Sequence, residues 1–84
     1  MAAIRKTIEE QIRASFDAMT KTERQVASHL LRHYPVAALG SVTQLAKAAE
    51  VSSPTVIRLV QKMGFKGYPD FQSAVRAEVE ERLV

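Results

Sequence analysis

Residues 41–64 read SVTQLAKAAEVSSPTVIRLVQKMG, and this stretch decides the fold. It holds two short helices back to back. Ser41 is an N-cap with Gln44 three residues on, the reciprocal pair of a capping box. Val42, Leu45, Ala46 and Ala49 follow at helical spacing, and their small size lets a neighbouring helix approach closely. EVS then makes a tight turn. Ser52 caps the second helix, which carries Pro54 in its first turn, where a missing N–H does no harm. Val56, Leu59, Val60 and Met63 form its apolar stripe, and Gly64 supplies the left-handed position that ends it.

With that stripe buried, the outward face carries Ser53, Pro54, Thr55, Ile57, Arg58, Gln61 and Lys62, and Lys66 follows. From Val51 to Tyr68 there is no acidic residue. Two helices joined by so short a turn form a helix-turn-helix, here about residues 42–63, whose second helix enters the DNA major groove. An acid-free face suits phosphates and base edges. Arg58 can fork onto the two acceptors of a guanine, and Gln61 can pair with adenine. Ser53 and Thr55 can donate to phosphates or bases beside the free N–H groups of the helix start. Ile57 matches a thymine methyl, and Lys62 and Lys66 match phosphates. Ser52 is mainly a cap, with a phosphate contact beside its backbone. The turn departs from a common pattern, because Glu50 falls where glycine often supplies a positive backbone angle. A non-glycine residue there costs on the order of 1 kcal/mol, so a slightly different turn shape is expected.

Outward from this pair, the rest of the chain is also helical. Ile4, Ile8, Ile12, Phe16 and Met19 make residues 4–17 an amphipathic helix. Thr20 and Glu23 form a capping box for the next helix, whose apolar face is Val26, Ala27, Leu30, Leu31 and Tyr34 and which Pro35 stops. Pro69 opens a last helix with Phe71, Val75, Val79 and Leu83 at four-residue steps and Asp70 near its positive end. The pattern predicts one all-α domain over residues 1–84, a five-helix bundle with a homeodomain-like helix-turn-helix.

Charge supports a polyanionic partner. Residues 20–68 hold Lys21, Arg24, Arg32, Lys47, Arg58, Lys62 and Lys66 against Glu23 and Glu50. The tail from residue 69 is acidic, and the whole chain carries +3. No apolar run approaches the roughly 20 residues of a membrane span, and the N-terminus lacks a signal-peptide core. The absence of cysteine rules out disulfides and thiolate metal sites and makes a cytoplasmic location the default. His29 and His33 are spaced for zinc, but no third ligand accompanies them, and no metal or cofactor is expected. No nucleophile–base pair or phosphate loop is found, so enzymatic activity is not expected.

The stretch SVTQLAKAAEVSSPTVIRLVQKMGFKGYPDF, with TKTERQVASHLLRHYP upstream, resembles the N-terminal DNA-binding domain of the RpiR family of bacterial transcriptional regulators. The likeness rests on LA in the first motif helix, VS–PT–IR opening the second, MGFKGY after it and PDF beyond, and it covers about residues 4–80. The resemblance implies a regulator of sugar or related metabolism that binds double-stranded DNA. It also implies a C-terminal sugar isomerase domain that takes a phosphosugar effector, and the chain reads as a DNA-binding domain without that half.

A different reading is a helical protein-interaction or dimerisation module without DNA contact. It gives no reason for the acid-free face. The two functions can coexist, because helix-turn-helix domains often pair to span two half-sites about one helical turn apart. The row Ile4, Ile8, Ile12 and Phe16 drifts about 40° per step and cannot all face one small core. A homodimer through the first helix would cover it; otherwise the last helix does, or Ile4 is exposed at the frayed end.

Overall fold

The computed structural model describes residues 6–83. Five α-helices follow one another: α1 (Ile8–Ser15), α2 (Lys21–Arg32), α3 (Val42–Ala49), α4 (Ser53–Lys62) and α5 (Tyr68–Leu83). Single 3-10 turns, Phe16–Ala18 and Val36–Ala38, follow α1 and α2. No strand occurs among the described residues, so the all-α class expected from the sequence is the one found.

Local chemistry sets most helix starts. Thr7, Thr20 and Ser41 each accept a hydrogen bond from the backbone N–H three residues ahead. Glu10, Glu23 and Gln44 reach back to the N–H of those caps. Three closed capping boxes result. The first corrects the predicted start at residue 4: the helix begins at Ile8, behind Thr7. Ile4 lies outside the described residues. At its far end α2 stops at Arg32, short of Pro35.

Two helix ends repeat one device. Phe65 N–H donates to the Val60 carbonyl and Gly64 N–H to that of Gln61, with Gly64 at φ 104°. Val51 N–H donates to Ala46 and Glu50 N–H to Lys47, with Glu50 at φ 61°, ψ 43°. Both are Schellman closures, each followed by an apolar residue packed on the core. The turn between α3 and α4 therefore keeps the left-handed geometry despite lacking glycine. The expected change of shape does not occur; Glu50 takes the strained angle itself.

The core is one cluster to which every helix contributes. Ile12, Val26, Leu30, Val56, Leu59, Val60, Phe71 and Val75 are fully buried. Ala46 and Ala49 let α3 lie close on α4, as their size predicts. Ile8 and Ile12 are buried in this same core and Phe16 packs against it. Ile8 and Ile12 therefore give no reason for a dimer through α1. That helix spans only eight residues before the 3-10 turn, so the drift between Ile8 and Ile12 is one small step that a single core absorbs.

Side chains of α5 hold the bundle together. Tyr68 hydroxyl and Gln72 Nε2 both donate to the Gly40 carbonyl, at 2.9 and 2.7 Å, just ahead of α3. Farther along, Glu78 accepts from the Ile8 N–H at 2.8 Å and from the Tyr34 hydroxyl at 2.5 Å. Burial, and then the Glu78 carboxylate, raise the Tyr34 pKa, so this hydroxyl stays a donor.

Candidate nucleic-acid interface

Helix α4 is placed by its apolar stripe, and the opposite side is what the domain offers to solvent. Pro54, Arg58, Gln61 and Lys62 are exposed there, with Ser52 before the helix and Lys66 after it. Pro54, Arg58 and Gln61 sit four and three residues apart and share one line along the helix. Ser53 and Ile57 flank that line half-buried, so Ile57 is less open than its predicted methyl contact implies. Lys66 projects from the loop, whose backbone N–H is held by the Asp70 carboxylate at 3.1 Å. Gln61 reaches to the Lys66 carbonyl at 3.3 Å.

Two predicted site residues lie elsewhere than expected. Thr55 does not face outward; it is 4% exposed. It stands four residues before Leu59, a row that turns into the core. Its hydroxyl lies 3.0 Å from that of Ser52 and accepts from the Arg58 guanidinium at 3.3 Å. Ser52 is the N-cap by backbone position, but its hydroxyl pairs with Thr55 instead of an N–H of the first turn. Thr55 thus meets Arg58 from beneath and not the outward face.

Lys62 also turns inward. Its ammonium donates to Glu23 Oε1 at 2.6 Å and to the Ala18 carbonyl at 2.8 Å. Glu23 is 1% exposed, and Arg58 Nε stands 3.9 Å from its other oxygen. Burial pulls the Glu23 pKa up. Hydrogen bonds from Lys62 and the Thr20 N–H, with the charges of Lys62 and Arg58, outweigh it, and the pKa is lowered overall. The carboxylate is therefore ionised at neutral pH. The sequence shows Glu23 only as a cap; in the structure the oxygen that accepts from the Thr20 N–H also accepts from Lys62, and the second oxygen faces Arg58, so the carboxylate meets α4 through both. Nothing in the sequence links residues 39 positions apart.

His29 and His33 lie side by side with ring centroids 4.7 Å apart and planes tilted by 47°. Burial first, then the charges of His33 and Arg32, lower the His29 pKa, which keeps the ring neutral. No group of three or more His, Asp or Glu side chains able to hold a metal gathers among the described residues. No helix among them is long and apolar enough to cross a membrane.

Comparison with known proteins places this fold in a family. Residues 6–82 match the helix-turn-helix domain of the rpiR family. The HTH-type transcriptional regulator HexR of Pseudomonas aeruginosa is 40% identical over 67 residues, which is 80% of this chain and 24% of HexR. The bifunctional protein glk of Paraburkholderia xenovorans is 40% identical over 63 residues, 75% of this chain and 10% of that protein. Among solved structures, the Vibrio vulnificus NanR protein complexed with ManNAc-6P superposes with a TM-score of 0.81 at 29% identity, covering 89% of this chain and 29% of that one. The chain thus spans a quarter or less of the curated relatives named here.

Proposed function

Because this chain belongs to the rpiR-family helix-turn-helix domains, a DNA-binding family of transcriptional regulators, we propose that it reads a specific duplex sequence by laying α4 in the major groove. The observation that carries this is the exposed side of α4, where Pro54, Arg58 and Gln61 line up without an acidic residue. Arg58 is the base reader, Gln61 and Ile57 are secondary base contacts, and Ser52, Ser53 and Lys66 meet phosphates. Thr55 supports Arg58 from inside. The domain acts by binding and not by catalysis.

Two further parts of the reading concern the longer regulator. A phosphorylated sugar is its effector, supported by the NanR relative with ManNAc-6P bound, and its targets belong to sugar or related metabolism. Two copies bind together, because a pair of recognition helices spans half-sites about one DNA turn apart. Their pairing surface is not the Ile8 and Ile12 row, which is buried within one chain.

The test is selection of duplexes from a random pool by the purified protein, followed by fluorescence titration across salt concentrations. A recovered motif, bound weakly and with affinity falling steeply as salt rises, is expected. Arg58→Ala lowers the preference for that motif by about 1–3 kcal/mol, while Lys66→Ala weakens all duplexes alike and flattens the salt slope by about one. No binding to any duplex at low salt, or equal behaviour of the two variants, overturns the reading.

A further inference from the structure

Of the cations on the recognition helix, both are tied to the same buried carboxylate. Lys62 closes on Glu23 Oε1 at 2.6 Å, and Arg58 stands 3.9 Å from Oε2. Their exposures differ. The Arg58 side chain is 63% exposed and that of Lys62 37%, against 2% for Glu23. Lys62 is further fixed by the Ala18 carbonyl and Arg58 by the Thr55 hydroxyl. A lysine that gives two of its three ammonium donors to a buried carboxylate and a carbonyl has its charge largely neutralised, so it condenses phosphate and releases a counterion less readily than a free one. An arginine that donates to one side-chain hydroxyl and feels the carboxylate only as a charge 3.9 Å from its Nε keeps donors free, while the two together bias the direction of its stem.

We infer that Glu23 is a positioning residue for DNA reading: it withdraws Lys62 from the phosphate-binding set and steers Arg58 toward the base edge. This rests on the proposed docking of α4. It assigns the two cations of that helix opposite roles, although the sequence presents both as DNA contacts. Lys62 is a strut between α4 and the start of α2, and Arg58 is the reader.

Glu23→Gln separates the two roles. The amide keeps the volume, and its one oxygen, the atom that both the Thr20 N–H and Lys62 meet in the wild type, still accepts from the cap, but the charge that holds Lys62 is gone. The double variant Glu23→Gln, Lys62→Met removes the released cation as well. Salt dependence of binding to a random-sequence duplex is measured first. The slope of log affinity against log salt steepens by about 0.9 in Glu23→Gln, as one new phosphate contact requires, and returns to the wild-type value in the double variant. Preference for the selected motif over random duplex then falls several-fold in both variants, because Arg58 has lost its guide in each. Circular dichroism checks that helicity is kept. Should Glu23→Gln alone lose helicity, the double variant decides, since replacing both members of a buried pair by neutral groups is tolerated better than stranding one.

The inference is overturned if Glu23→Gln binds as wild type does while the double variant loses about one unit of slope, which would make Lys62 an ordinary phosphate contact. Unchanged motif preference in both variants overturns the steering of Arg58. Failure of the wild type to bind any duplex removes the docking reading itself and this inference with it.

Discussion

Glu50 carries a backbone angle that the rest of the turn imposes. At φ 61°, ψ 43° a side chain crowds its own carbonyl, which costs on the order of 1 kcal/mol, while glycine pays only the larger entropy of its unfolded chain. Glu50→Gly is therefore expected to stabilise the domain by about 0.5–1 kcal/mol, read as a raised urea midpoint at unchanged slope. A lowered midpoint would show that Glu50 has compensating contacts. The same position illustrates what can be read at this scale. The need for a positive angle at Glu50 was legible from the glycine that such turns commonly place there; that the residue would comply was not, because strain is decided by the Val51 and Glu50 N–H bonds that offset it. Thr55 shows the opposite case. Its place four residues before Leu59 was on the page, but a hydroxyl at a helix start invites an outward reading, and the inward partner needed to bury it is Ser52.

Individual helices were largely legible, since caps and apolar periods are local signals. The start of α1 is an instance of a signal present but passed over. Thr7 and Glu10 repeat the spacing of Thr20 and Glu23, and both pairs close. What periodicity cannot carry is which helix covers which. Lys62 meets Glu23, Tyr34 meets Glu78 and Gln72 meets Gly40, all across loops whose length and direction no local pattern encodes. The same limit made the isoleucines of α1 look unpartnered. Because they are core, Ile12→Ala is expected to cost about 2–5 kcal/mol, and Leu39→Ala, in a side chain 38% exposed, well under 1 kcal/mol. Chemical denaturation at two protein concentrations checks this. A small Ile12 effect that vanished on dilution would instead restore a dimer through α1.

For the molecule as a whole, acid should act in two stages. His29 has its pKa lowered below the ordinary 6.5, so the unfolded chain binds the proton first. Stability from this group is complete above that value and falls as the pH drops through it toward the lower folded value. Glu23, together with the exposed Glu10 of the first cap, has its pKa lowered below the ordinary 4.5. Stability from these carboxylates is complete above 4.5 and lost beneath it. Urea midpoints measured from pH 8 to pH 3 should thus decline first below neutrality and again below the carboxylate range. His29→Gln abolishes the upper stage and Glu23→Gln shrinks the lower one; a decline that both variants share unchanged would place the titrating groups elsewhere. A last consequence follows from α5, whose Tyr68 and Gln72 clasp the Gly40 carbonyl immediately before Ser41. Helix α3 has its first turn fixed from there, and α4 is fixed on α3. The far part of α5 is anchored too, through Glu78 on the Ile8 N–H and the Tyr34 hydroxyl, so one helix ties the start of α1 to the helix-turn-helix at its other end.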